Sequence, residues 1–406
     1  MTVTECDDFH SVENIIDLVI PEERYPNRVF HHDPSRSIET NPSPLCRGVT
    51  IFGDGQASSV DGWRFCTPPE WQGQFTRWPW WQGQPQTREA FSFAVDHGVF
   101  LPLSTAIISE QDKILNPTIE FCGIWGGLEY LEPTIAKVDG QLTWNPKAAD
   151  YVDCTAISMV GITYRNYGHF LLDGLPLVYL LVNSINRPAL EDRLAIVCPP
   201  LQSWHHEILS LLNLDQFVRT VQQPTRYKTL VGNSFLCQHV TYPTRFARPV
   251  FDALKFVVPS APEAPEKIFI VRTNQEERVM RNSEQLLERL VKRGYVPVAP
   301  ELYSVREQIR MFSGAKIIVG PTSAAFANVG FAPPRAKILE IMAECQPDQW
   351  TRRFSFFMGH LWHGYVARVE NYKQRESDQG TLDLYEFSYD LPLDDFEEAL
   401  STVEAA

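Results

Sequence analysis

His169 and Asp173 stand four residues apart in the run Asn166-Tyr167-Gly168-His169-Phe170-Leu171-Leu172-Asp173-Gly174-Leu175-Pro176. If a helix begins near Gly168, the two side chains share a face. A carboxylate so placed fixes the imidazole tautomer and raises its basicity, which makes His169 a candidate general base near neutral pH. The same spacing also describes a structural pair that pins a helix start, and spacing alone leans that way. A second run, Gly320-Pro321-Thr322-Ser323-Ala324-Ala325-Phe326-Ala327-Asn328, follows the apolar stretch Ile317–Val319. There a short loop feeds a helix whose first N–H groups lack intrahelical partners, and such an end attracts anions, phosphates above all. Small residues at Ser323, Ala324 and Ala325 let a ligand approach the backbone, although an ordinary strand-to-helix turn has the same composition.

Arg272 stands just past the β-branched stretch Lys267–Val271, with Arg278 and Arg281 soon after. A guanidinium at a sheet edge can hold a diphosphate with two hydrogen bonds. The competing reading, a solvated loop arginine, is stronger for Arg278 and Arg281 than for Arg272. Glu340 ends the stretch Ala336–Ile341, where a carboxylate can accept hydrogen bonds from ribose hydroxyls.

Other chemistries find little support. There is no Walker lysine and no usefully placed G-x-G-x-x-G. His31-His32, His205-His206 and His360 with His363 match no strong metal pattern, so no metal site is expected. No D-x-D occurs, which argues against a diphosphate held through a carboxylate-bound divalent ion. No G-x-S-x-G elbow supports a serine hydrolase.

The elements that must position these residues come next. Both runs read as strand, turn and helix start, the junction at which open α/β sheets bind ligands. Two such junctions predict a cleft between two domains. Strands are expected over Ala156–Thr163, Leu194–Cys198, Phe217–Val221 and Phe235–Val240, with helices over His169–Val182, Ser203–Leu212 and Val250–Val257. Prolines at 259, 262 and 265 predict a stiff linker. Beyond it the alternation resumes, with capping boxes at Asn282/Gln285 and Ser304/Glu307, and glycines at 294 and 314 as helix stops. A final helix is expected near Asp394–Val403. From Ala156 onward the pattern is that of a doubly wound parallel sheet.

Before it, residues 1–43 are acidic and proline-punctuated, and Leu45–Pro146 reads as irregular β structure, as at Gly48–Phe52, Phe91–Val95 and Thr118–Cys122. Within it Trp71-Gln72-Gly73-Gln74 recurs as Trp81-Gln82-Gly83-Gln84. With Trp63, Trp78 and Trp80, half of the ten tryptophans lie there. These rings either stack on sugars or supply core area where strands are short, and the second is favoured.

The 406 residues suffice for two or three domains, and 44% apolar with 21% charged residues is an ordinary soluble mix. The net charge of −14 argues against a nucleic-acid or anionic-membrane binder. Eight scattered cysteines without C-x-x-C pairs, an acidic N-terminus and no apolar run of about 20 residues predict a cytoplasmic protein.

Together these residues resemble glycosyltransferase family 61, the capsular-polysaccharide-type family. Asn166, His169, Phe170, Asp173 and Pro176 fit its first segment. Arg272, Arg278, Asn282 and Glu284 resemble its second. Gly320, Pro321, Ala324, Asn328, Pro333, Pro334, Leu339 and Glu340 fit its third. Thr322 stands where the family has His, and Ser323 and Ala325 where it has glycines.

The resemblance implies a GT-B-like fold: two Rossmann-like domains facing across a cleft, plus the irregular β-containing N-terminal region. The expected division is 1–150, that N-terminal region; 151–257, the acceptor-side domain; 258–266, the linker; and 267–406, the nucleotide-sugar domain with its C-terminal helix. It implies inverting transfer from a nucleotide sugar to a glycan or lipid-linked acceptor in polysaccharide biosynthesis. No metal or cofactor would be required, and association with a membrane-borne acceptor would be peripheral. His169 would be the base, oriented by Asp173, with Asn166 on the acceptor side. Arg272, Arg278, Gly320, Pro321, Thr322, Ser323, Asn328 and Glu340 would bind the donor. Rival readings are a catalytically degenerate nucleotide- or glycan-binding relative, to which the Thr322 departure points, and a pyruvyl-type transferase.

Overall fold

A computed structural model of the chain describes residues 2–6, 64–65, 92–110, 112–115, 118, 132–139, 141–144, 149–159, 165–184, 194–233, 247–273, 278–343, 350–369, 371–372, 375–376, 382–383 and 387–406. The strands expected at Gly48–Phe52 and Phe235–Val240 and the tryptophan-rich repeat lie outside these residues, as do most of Thr118–Cys122 and the end of Ala156–Thr163. The chain forms two compact units, and each is discontinuous in sequence. One comprises 1–36 and 88–240, the other 37–87 and 241–406.

In the first unit, the strands Val218–Thr220, Leu194–Cys198, Asp150–Ser158 and Thr225–Asn233 lie side by side in that order, all parallel. Leu194–Cys198 is apolar throughout and wholly buried, as expected of a central parallel strand. Ser92–Asp96 and Val99–Phe100 add antiparallel to Thr225–Asn233. Ile107–Ile108 and Lys113–Leu115 follow on, also antiparallel. Apart from Arg64–Phe65, the described β segments before residue 150 thus belong to the first unit's own sheet.

The second unit holds a six-stranded, wholly parallel sheet. Its order is Val296–Val298, Lys267–Ile270, Ile317–Pro321, Lys337–Ala343, Leu361–Ala367 and Arg64–Phe65. From Lys267–Ile270 the chain goes first to one neighbour, Val296–Val298, and then to the other, Ile317–Pro321. Strand order therefore reverses between Lys267–Ile270 and Ile317–Pro321, and the crevice beyond their C-terminal ends is where such sheets take ligands. On one face Phe269, Val319, Leu339, Ile341 and Tyr365 pack with Leu286 and Leu290 of the helix Ser283–Lys292, and with Phe396, Leu400 and Val403 of the helix Leu393–Ala405. A second helical layer gathers round the 3-10 helix Ala324–Phe331. There Phe251, from the helix Arg248–Val257, meets Phe331 at 4.9 Å and Phe354 at 5.0 Å. Arg248–Val257, expected to close the first domain, belongs instead to the second unit.

The helix ends show which local signals governed. Ser304 and Glu307 form their capping box, with Glu307 N donating to Ser304 Oγ at 3.3 Å and Ser304 N to Glu307 Oε2 at 2.8 Å. Gly294, at φ 84°, closes the helix Ser283–Lys292 through the paired bonds Tyr295 N to Leu290 O and Gly294 N to Val291 O. Gly314 has no left-handed φ. It is small because a Cβ there would lie 2.5 Å from the Ala264 Cβ. Asn282 makes no cap bond. Its amide pairs both ways with the Leu391 backbone, at 2.8 and 2.9 Å.

Candidate active site

In the first unit, the chain leaves the strand Asp150–Ser158 and enters a helix at Asn166. The Asn166 Oδ1 accepts hydrogen bonds from Gly168 N at 3.0 Å and His169 N at 3.3 Å. This is a helix N-cap, and it serves the first turn Tyr167–His169. The helix then widens into a π turn over Phe170–Gly174, where Leu175 N reaches back five residues to Phe170 O at 2.9 Å. It resumes as Pro176–Ser184. π turns are rare and recur at functional positions.

The widened turn changes the relation between His169 and Asp173. In a π turn the backbone bonds reach five residues back, so positions four apart no longer stack as they do in an α-helix. Asp173 is buried within the turn. Burial pushes the His169 pKa down to about 4. The expected carboxylate-raised basicity is therefore absent, and the imidazole is neutral at pH 7 through desolvation.

Neighbouring aromatic residues, missed in the sequence, hold this helix start. Trp204 and His205 begin the helix Ser203–Leu211, which follows the adjacent strand Leu194–Cys198. Tyr167 and Phe170 each meet Trp204 edge-on with centroids 5.4 Å apart, and Phe170 meets His205 at 4.6 Å. The His205 Nδ1 accepts from Gln202 N at 3.0 Å, which completes a cap. The only sequence signal was a Trp-His pair just after a strand.

In the second unit, a pocket opens at the reversal point of the sheet. Its walls include Ile270, Arg272, Arg278, Ser283, Glu284 and Pro321. Arg272 Nη1 donates to Arg278 O at 3.3 Å, and Arg278 adopts a left-handed φ of 55°. Arg281 takes no part: it is paired with Asp390 at 2.5 Å. Gly320 has a packing reason, since a Cβ there would lie 2.8 Å from Ile270 Cβ and 3.1 Å from Ile270 O. Ser323 starts a 3-10 helix where an α-helix was expected. Its buried Oγ has no hydrogen-bond partner among the described residues.

Two expected ligand contacts are instead internal. Asn328 is fully buried and its Nδ2 donates to Gln308 Oε1 at 3.0 Å. Glu340 is 0% exposed. It accepts from Thr322 Oγ1 at 2.8 Å, Thr351 Oγ1 at 3.1 Å and Trp362 Nε1 at 2.9 Å. Thr351 and Trp362 escaped the sequence reading because each lies on an element of its own, brought to Glu340 only by the fold. Among the described residues no group of three or more His, Cys, Asp or Glu side chains is placed to hold a metal ion.

No curated protein matches the chain. Residues 167–339 match the family model described as Glycosyltransferase 61, a stretch that holds His169, Asp173, Arg272, Arg278 and Thr322. Over that stretch, under half of its length, the chain is similar to glycosyltransferase family 61, a family of sugar-transferring enzymes.

Proposed function

We propose that the protein transfers a sugar from a nucleotide-sugar donor to a glycan or lipid-linked acceptor, with inversion and without a required metal, in polysaccharide biosynthesis. The observation that carries this reading is the pocket at the sheet's reversal point, with Arg272 and Arg278 in its wall. As the acceptor oxygen attacks the anomeric carbon, the bond to the diphosphate breaks and negative charge grows on the departing nucleoside diphosphate. Arg272 would carry that charge. His169, neutral before the reaction, would take the acceptor proton. The proposal includes the GT-B arrangement that the family resemblance implies. It places the reaction in the cytoplasm, with a membrane-borne acceptor reached from the surface; no described helix is long and apolar enough to cross a membrane.

A thermal-shift series tests it, with UDP, GDP, CDP and their sugar conjugates, each with and without EDTA. A ligand bound only by the folded protein must raise the midpoint. Stabilisation by one nucleoside diphosphate, unaffected by EDTA, is expected, and no shift near millimolar ligand rejects the donor site. A second reading, binding without catalysis, is favoured by the Thr322 hydroxyl being engaged by Glu340. Nucleotide binding with neither transfer nor donor hydrolysis would select it.

A further inference from the structure

The buried Glu340 network is larger than a strand-end carboxylate needs to be. Its three donors come from three places: the turn after Ile317–Pro321, the helix Trp350–Met358 and the strand Leu361–Ala367. The turn is held twice, since Thr322 N also donates to Ile341 O at 2.9 Å. Room for the Trp362 ring depends on Gly364, whose Cβ, if present, would lie 2.5 Å from that ring. Gly364 pairs in register with Glu340. A buried carboxylate is costly unless its oxygens are satisfied, so removing one donor disturbs the whole set. The residue just before Thr322, Pro321, is a wall of the pocket that also contains Arg272 and Arg278.

We infer that Glu340 is a positioning residue: through Thr322 it sets the turn Pro321–Ser323 that walls the donor pocket, and Thr351 and Trp362 hold Glu340 in place. It does not touch the ligand. The inference rests on the donor-pocket reading for its consequence, and on the geometry alone for the tether.

The tether is read without nucleotide. Hydrogen exchange of the amides at 322–326 should quicken in Thr322→Val and stay near wild type in Thr322→Ser, which keeps the hydroxyl. Unchanged exchange in Thr322→Val overturns the tether. The consequence is read by calorimetry with the nucleoside diphosphate that the thermal-shift series identifies. Thr322→Val should weaken binding about tenfold, and Thr322→Ser should recover it to within about threefold. Glu340→Gln should weaken the ribonucleotide and its 2′,3′-dideoxy form by the same factor. A Glu340→Gln effect that vanishes with the dideoxy form means that Glu340 meets the ribose, and overturns the inference. Equal affinities in wild type and Thr322→Val, with exchange quickened, also overturn it. A wild-type protein that binds no nucleoside diphosphate rejects the donor reading instead, and the exchange result then decides the tether by itself.

Discussion

A histidine made neutral by burial differs as a base from one made basic by a carboxylate. With its pKa lowered to about 4, His169 stays unprotonated well below neutrality. The acid limb of kcat/KM should therefore fall near pH 4 and not near the ordinary value of about 6.5. A pH–rate profile checks this, with His169→Ala as the control that lowers kcat by about 10²–10⁴ while nucleotide binding persists. Gly320→Ala should cost about 1–3 kcal/mol in a urea titration, because its Cβ meets backbone as well as side chain of Ile270. At this scale the sequence pointed to Arg272, Pro321 and Thr322 through their place after strands. It did not show that Glu340 and Asn328 are enclosed, because their partners Trp362, Thr351 and Gln308 lie 11 to 22 residues away and meet them only in the fold.

Elements whose signals are local were legible. The Ser304/Glu307 box and the Gly294 stop depend on a few adjacent residues, and both form as their sequence predicts. Ser304→Ala should cost about 1 kcal/mol. Asn282 shows the limit of local reading: it has the right type and spacing for a cap, yet its amide goes to Leu391, 109 residues on. Asn282→Ala should thus cost about 1–3 kcal/mol and raise hydrogen exchange at Leu391, far from the helix it precedes. The strand Thr225–Asn233 was missed for a similar reason. Arg226 and Lys228 make it look like a loop, but it is paired on both sides, by Asp150–Ser158 and by Ser92–Asp96. The helix Trp350–Met358 was missed because its aromatic, weakly helix-forming residues are held by packing on Val329–Phe331 and neighbours rather than by propensity. Nothing in the run Phe170–Gly174 signalled a π turn.

Across the whole molecule, two desolvated histidines, His360 and His169, link stability to pH in the same sense. His360 is 2% exposed, and its Nε2–H donates to Val329 O at 2.8 Å. Burial lowers its pKa to about 4, as it does for His169. Unfolded histidine takes up a proton below about pH 6.5, whereas these two do so only near 4 in the folded chain. Their contribution is complete above pH 6.5 and is lost as pH falls from there toward 4, on the order of 3 kcal/mol for the more deeply buried His360. The urea midpoint should be level between pH 8 and 7 and decline through that window, less steeply in His360→Gln. The parallel sheets were legible as strand–helix alternation. The division into units was not, because the short β segments before residue 150 carry no sign of which sheet they join.

The edge strand Arg64–Phe65 pairs with His363–Gly364, about 300 residues later. A ribosome adding roughly 5–20 residues per second leaves the early segment waiting about 15–60 s for that partner. The sheet of the second unit is therefore completed only after Leu361–Ala367 has been made, later than the first unit's chain. The first unit, whose pieces both end by residue 240, has all of its chain available well before that. A fragment starting at residue 241 would leave the side of Leu361–Ala367 uncovered, an open template for joining other chains.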